Sequence, residues 1–438
     1  MDVSLILTHR CNLDCGYCYA GEHHKTDIED AVLRRGVDLL FADGSSRAQL
    51  SFFGGEPFLA FDAMRRAVAL AEGRAEEHGA TLTLQCTTNG TRIREEQLRF
   101  ILDHGVHVTV SIDGIREAHD LHRPSSGGKP SFDAVVEGLR TLVRAGASVD
   151  AMMVISPRTA QHAYLSANFL WSEGVRTVRA NLVLDEEWTS EERAELREQL
   201  VSIGWELLAR RLRGEPVSFK PFEPGLRARV TGAPTASRVK VVVGTSGHLY
   251  PCAPMVGEDR DDGPEAALRI GHVTQDPAAI RAAATRDGVR CENGKGCQCA
   301  AYLETGSRYT PGQMGRWYGL VCEEIGRTIA ESLEQQWAAR APTTPRRRGV
   351  IMGLAAIVGG AAVGAPLLSG LLAADDPPRP CPLRTRKLVA PLDPEELPVP
   401  GEMAVPDPEP MIDGDIAEPE PPAFEPTPEP DGGIGSPW

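Results

Sequence analysis

No basic stripe or patch runs through this chain of 438 residues, so the electrostatic footprint of a nucleic-acid partner is missing. Positive charge is the scarcer sign, with 46 Lys and Arg against 61 Asp and Glu and a formal net charge of −15. The deficit is uneven. From Asp375 onward 15 acidic residues face 4 basic ones, so roughly −11 belongs to that end and the rest is close to neutral. No charged and apolar leader precedes the first strand-like run, which is expected to exclude export and, with it, a disulfide framework. The ten cysteines are therefore read as reduced thiols. They fall into groups: Cys11, Cys15 and Cys18; then Cys252, Cys291, Cys297, Cys299 and Cys322; with Cys86 and Cys381 isolated. Grouped thiols in an unsecreted chain point to metal.

The first group stands in the order C-x-x-x-C-x-x-C directly after an apolar run from Val3 to Thr8. Three thiolates on one short loop suit three irons of a four-iron four-sulfur cube, which leaves the fourth iron open to a small molecule. A structural zinc site is the alternative, and its fourth ligand would have to be His9, His23 or His24.

The segment Thr8-His9-Arg10-Cys11-Asn12-Leu13-Asp14-Cys15-Gly16-Tyr17-Cys18-Tyr19 resembles the cluster loop of the radical S-adenosylmethionine (SAM) superfamily. Gly54-Gly55-Glu56-Pro57, after the run Leu50 to Phe53, is similar to the family's GGEP element. Thr87-Thr88-Asn89-Gly90 and Ser111-Ile112-Asp113-Gly114 end a third and a fourth strand where the family pattern has them. The likeness covers about half of the chain. It implies that Cys11, Cys15 and Cys18 are the catalytic metal ligands of a 4Fe-4S cluster, with SAM on its open iron. One electron, from a donor such as flavodoxin or ferredoxin, would then cleave SAM to methionine and a 5′-deoxyadenosyl radical that takes hydrogen from the substrate. By the same resemblance Gly54, Gly55, Glu56 and Pro57 bind the methionine part, Glu56 through its ammonium. Asn89, Ser111 and Asp113 would add cofactor contacts, Arg123 would pair with the SAM carboxylate, and Tyr17 or Tyr19 would pack near the adenine. Plainer readings stand beside these: an ordinary Asp-Gly turn at the strand end, tyrosines that only shield the cluster from water, and an arginine at the surface.

The expected fold is α/β. Short β-branched runs alternate with amphipathic helices over residues 1–214, which predicts a partial (β/α)6 TIM-type barrel with its chemistry at the carboxyl ends of the strands. The strands are read as Val3 to Thr8, Gln49 to Phe53, Leu82 to Thr88, His107 to Ile112, Val149 to Ile155 and Thr177 to Leu184. Thr26 and Glu29 read as a capping box for a helix reaching Ala42. Asn181 is placed near the mouth, and Cys86 reads as an inert core thiol.

Residues 215–340 turn to short, Gly- and Pro-punctuated strands such as Arg238 to Val243 and His248 to Tyr250, read as a second, smaller domain. Gly247 to Cys252 and the later cysteines resemble the SPASM or twitch extension of peptide-modifying radical SAM enzymes. The likeness departs from the full pattern, since no Cys lies about ten residues before Gly247. It implies one auxiliary 4Fe-4S cluster on four of Cys252, Cys291, Cys297, Cys299 and Cys322.

Gly349 to Ala374 is uncharged for about 26 residues after Arg346, Arg347 and Arg348, enough to span a hydrocarbon core near 30 Å. It reads as one transmembrane helix with the enzyme on the cytoplasmic side; a buried core helix is the alternative. Residues 375–438 hold more than half of the 34 prolines among acidic residues, and read as a disordered tail on the opposite side: a spacer, a docking segment or a fused substrate.

The resemblance points first to a peptide- or protein-modifying enzyme. A formylglycine-generating maturase, a tetrapyrrole-modifying or other small-molecule enzyme, and a non-catalytic membrane-anchored iron-sulfur protein share the same motifs.

Overall fold

Strand β1 (Asp2–Ile6) buries every residue after Asp2, and β2 (Arg47–Phe53) buries Ala48, Leu50, Ser51 and Phe52. Strands closed off on both faces are what a parallel sheet covered from two sides requires. The computed structural model describes residues 1–227, 239–287, 298–310 and 312–340. Further strands follow as β3 (Thr81–Thr88), β4 (His107–Ser111), β5 (Val149–Ile155), β6 (Thr177–Leu182) and β7 (Ser218–Phe219), then β8 (Lys240–Val243), β9 (His248–Tyr250) and β10 (Gly271–His272). Helices alternate with them: α1 (Asp30–Leu39), α2 (Phe61–Glu77), α3 (Glu95–Asp103), α4 (Arg116–His122), α5 (Phe132–Arg144), α6 (Ala163–Ser172) and α7 (Ser190–Leu212). After them come α8 (Glu223–Arg227), α9 (Pro277–Asp287), α10 (Gln298–Thr305) and α11 (Gln313–Arg340).

The strands form one sheet in the order β10-β9-β8-β1-β2-β3-β4-β5-β6-β7. Every pair from β8 to β7 is parallel; β9 and β10 are antiparallel additions at one edge. The register sets Ile6 opposite Phe53 and Thr88 opposite Val110, so the ends of β1 to β4 lie side by side. Helices cover the sheet through apolar stripes, as in α5, where Val135, Val136, Leu139 and Leu142 are buried at helical spacing.

Two local expectations change. The Thr26–Glu29 capping box does not form: α1 starts at Asp30 with no side-chain cap, and Thr26 instead receives His9 N–H on its carbonyl and faces His24 Nδ1 through its hydroxyl at 2.8 Å. A reciprocal box does form between Thr189 and Glu192 at the start of α7. The expected boundary near residue 214 is crossed by the sheet, because β8 pairs with β1 from Asp2 opposite Lys240 to Leu5 opposite Val243.

The expected membrane anchor is corrected. No helix among the described residues is long and apolar enough to cross a membrane. The longest of them, α11, has the length but carries Arg316, Glu323, Glu324, Arg327, Glu331 and Glu334 along it and packs on α7 and α8. The stretch 349–374 and the tail 375–438 lie outside the described residues. The reading of 349–374 rested on length and missing charge, whereas Gly and Ala, its main components, contribute little transfer free energy to insertion.

Candidate active site at the carboxyl ends of the strands

The loop that follows β1 is fastened on two sides. Toward β2, Leu7 N–H donates to Phe53 O at 3.0 Å, Gly55 N–H to Thr8 O at 2.8 Å and Glu56 N–H to Arg10 O at 2.8 Å. Here the two glycines are required. Gly54 has φ +140°, and a Cβ there would stand 2.3 Å from Thr8 O; one on Gly55 would stand 2.2 Å from Arg10 O. The Arg10 guanidinium forks onto Asp27 at 2.8 and 2.6 Å and also reaches Leu59 O. Toward β4, Asp14 N–H donates to Pro124 O and Gly16 N–H to His122 O, at 2.8 and 2.9 Å.

Cys11, Cys15 and Cys18 are all partly buried on this loop, and each sulfur has its own nitrogen neighbour. Cys11 Sγ meets Leu13 N–H at 3.4 Å and Asn89 Nδ2 at 3.9 Å. Cys15 Sγ lies 4.0 Å from a terminal nitrogen of Arg123, and Cys18 Sγ lies 3.7 Å from His23 Nε2. Burial pushes the Cys11 thiol up to about 12 and Cys15 to about 11, and it raises Cys18 as well. The neighbouring sulfurs add to the shift of Cys11, so three thiolates here need a compensating positive charge, which an iron cluster brings. Among the described residues no three Cys, His, Asp or Glu side chains converge as they would on one metal ion. Zinc needs such convergence, whereas sulfurs on separate irons of a cube stand further apart. Three cysteine thiols on one loop are the donor set that such a cluster takes.

The other expected cofactor residues gather around this loop, several of them in supporting positions. Glu56 is fully buried, and its carboxylate accepts from Phe58 N–H at 3.0 Å, Thr88 Oγ1 at 2.8 Å and Asn89 N–H at 2.7 Å. Burial raises its pKa against those three bonds. It ties the ends of β2 and β3 together, and Pro57 opens the buried helical turn beside it. Asn89 links Asn12 Oδ1, at 3.1 Å, to Cys11. Asp113 is 1% exposed and takes the Arg123 fork at 3.0 and 2.9 Å, Val154 N–H at 2.9 Å and the Tyr17 hydroxyl. Tyr17 is thus held against Asp113 and under Arg123. Ser111 is the exception, half-buried at the end of β4 and with no side-chain hydrogen-bond partner among the described residues. Asn181 is exposed on β6. Sequence reasoning missed Thr91 and His122, met His23 only as a possible zinc ligand, and left Arg123 between a pair with the SAM carboxylate and a place at the surface. Arg123 is placed by the short helix α4, whose seven residues return the chain from Asp113 to the loop.

The second cysteine group is divided. Cys252 and Cys299 share a small apolar cluster with Tyr250, Met255 and Tyr302. Cys322 lies 1% exposed in the main core on α11, beside Tyr318. Cys291 and Cys297 lie outside the described residues, as does Cys381. The turn after Cys252 reaches the first loop, since Glu258 accepts from Glu22 N–H at 3.0 Å and offers its carbonyl to His24 at 2.9 Å. Cys86 is a buried core thiol of β3, as expected.

Residues 5–170 match the family model of the Radical SAM superfamily. They are a radical SAM domain. This is a domain of enzymes that use a 4Fe-4S cluster and SAM, and it covers every motif at the ends of β1 to β4. A serine-type anaerobic sulfatase-maturating enzyme of Klebsiella aerogenes is 29% identical over 182 residues, 40% of this chain and 45% of that protein. The Fe-coproporphyrin III synthase of Methanosarcina barkeri is 33% identical over 153 residues, 34% of this chain and 36% of that protein. The chain thus spans less than half the length of either relative. Native anSMEcpe, solved with bound AdoMet and Cp18Cys peptide, matches with a TM-score of 0.62 at 18% identity, over 78% of this chain and 99% of that one. The shared fold therefore covers more of the chain than residues 5–170.

Proposed function

We propose that the protein is a radical SAM maturase acting on a side chain of a peptide or protein. The observation that carries this reading is the cysteine loop: three partly buried thiols at the carboxyl ends of β1 to β4, each with an N–H or imidazole neighbour. When bound, the cluster and SAM supply one-electron cleavage of SAM and a radical that abstracts hydrogen from the substrate. The chain's own residues do the holding. Gly54 and Gly55 let the loop sit close on β2, Glu56 locks β2 to β3, and Asp113 fixes Tyr17 and Arg123 against the loop. A peptide or protein substrate is supported by the sulfatase-maturating relative and by the peptide-bound anSMEcpe fold, which extends over most of this chain. The sulfatase-maturating likeness also favours a Ser or Cys target and formylglycine as product. The coproporphyrin synthase likeness supports a tetrapyrrole substrate as the second reading. An auxiliary cluster on the later cysteines belongs to the same proposal.

Anaerobically reconstituted protein is expected to turn SAM into 5′-deoxyadenosine, and Cys15→Ala to abolish this. Unchanged cleavage by that variant would overturn the assignment. Mass spectrometry of Ser- and Cys-containing peptides incubated with the enzyme, against a porphyrin substrate in parallel, separates the two substrate classes.

A further inference from the structure

The three thiols differ in what faces them. Cys11 meets a neutral amide and a backbone N–H, and Cys18 an imidazole. Cys15 alone meets a permanent cation, the Arg123 guanidinium. That cation is 6% exposed and held from every side. Its Nε and one terminal nitrogen are bound by Asp113 at 3.0 and 2.9 Å, and the Tyr17 ring lies 5.2 Å from its centre. Its backbone N–H donates to His119 O at 3.0 Å, and its carbonyl accepts from Ser131 Oγ at 2.6 Å. Asp113 is itself fixed by Val154 N–H on β5. The remaining terminal nitrogen is directed to Cys15 Sγ, at 4.0 Å, and has no other partner among the described residues.

We infer that Arg123 is a positioning residue of the cluster: braced by Asp113, it donates an N–H to the Cys15 sulfur and so sets the reduction potential of the iron it ligates. Hydrogen bonds to cluster sulfurs and nearby net charge are the levers by which a protein moves an iron-sulfur potential. The sign follows from charge. Reduction adds an electron to an anionic thiolate-bound centre, so the positive end of the buried Arg123–Asp113 pair, facing Cys15, favours the reduced form and raises the potential. This role differs from an ion pair with the carboxylate of SAM. A guanidinium already forked onto Asp113 has one nitrogen to spare, and that nitrogen faces the sulfur. The inference rests on reading Cys15 as a cluster ligand.

The test is an EPR-monitored redox titration of the anaerobically reconstituted full chain, with and without SAM, following the cluster signal that SAM perturbs. In Arg123→Met the midpoint without SAM is expected to fall by about 59 mV, a tenfold loss in the reduced-to-oxidised ratio at fixed potential. Arg123→Lys, which keeps the charge, is expected to recover most of that shift. Arg123→Met leaves Asp113 buried without its counter-ion and may not be assumed to fold; the double variant Arg123→Met with Asp113→Asn removes both charges and is also expected to titrate below wild type. A midpoint equal to wild type without SAM in whichever of these variants folds, with a loss of SAM affinity alone, overturns the inference and makes Arg123 a SAM ligand. Absence of any cluster signal from the wild-type protein would instead overturn the reading of Cys15 as a ligand.

Discussion

At the residue scale the site rests on polar groups that are buried and fully committed, and His119 shows what that commitment costs in acid. It is fully buried: Nδ1 faces Asp113 N–H at 3.4 Å and Nε2 faces Ser131 Oγ at 3.0 Å. Accepting from Asp113 N–H requires a neutral ring with its proton on Nε2. Burial, reinforced by Arg123, lowers its pKa from 6.5 to about 4, and His9 is lowered to about 4 in the same way. For a histidine whose folded value lies below its unfolded one, the unfolded chain binds more protons between those two values. Stability is therefore present above about pH 6.5 and is lost as the pH falls toward 4. At pH 5 the cost for one such group is about 2 kcal/mol. Urea unfolding at pH 7.5 and pH 5 is expected to show this loss, and His119→Gln to lose about 2 kcal/mol less between the two pH values than wild type. Parallel losses in both proteins would rule out His119 as the source. Such a group is hidden in the sequence: His119 stands next to Asp120 in a short stretch dominated by polar and charged residues, and only the return of the chain to Arg123 buries it.

At the element scale, what was legible is what depends on local pattern. β5 runs over Val149–Ile155 as the alternation predicts, and the ends of β2 and β3 fall at Phe53 and Thr88 as the motifs require. What was not legible depends on partners distant in the chain. The first strand was read through Thr8, yet β1 ends at Ile6 because Leu7 and Thr8 turn to bond Phe53 and Gly55. The helix α4 was missed because its seven residues include two histidines and three other charges and carry no apolar stripe. The glycine pair was legible in position, and its packing use was not. The resemblance assigns it to the methionine part of SAM, and the fold adds a second use: its missing Cβ atoms make room for the backbone of Thr8 and Arg10. This gives a prediction about the join between two elements. Gly55→Ala forces the loop off β2, since a Cβ would lie 2.2 Å from a carbonyl that cannot rotate away. The expected cost is about 1–3 kcal/mol of stability, accompanied by reduced iron incorporation on reconstitution. A variant as stable as wild type and with full iron content would show that the close approach is not needed.

At the scale of the whole molecule, the sheet unites what composition divided. The texture change near residue 215 is real, but β8 adds directly to β1, so the later segment completes one edge of the same sheet and sets the turn after Cys252 against the first loop through Glu258. Five later thiols exceed the four that one cube takes, and sequence alone gives no reason to drop any of them. The fold supplies one. Cys322 sits in the main core on α11, next to Tyr318, whose hydroxyl reaches Ala180 O at 3.3 Å on β6, while Cys252 and Cys299 belong to a separate cluster at the other edge of the sheet. The remaining four, Cys252, Cys291, Cys297 and Cys299, then equal the complement of a single auxiliary cluster. Iron analysis of the reconstituted chain is expected to give about eight atoms for two four-iron clusters. Cys252→Ala should lower the content toward about four. Cys322→Ala should leave it at the wild-type value and cost stability instead, through the small cavity left in the core. Loss of iron from Cys322→Ala would return that residue to the ligand set, and about four irons in the wild-type chain would remove the auxiliary cluster altogether.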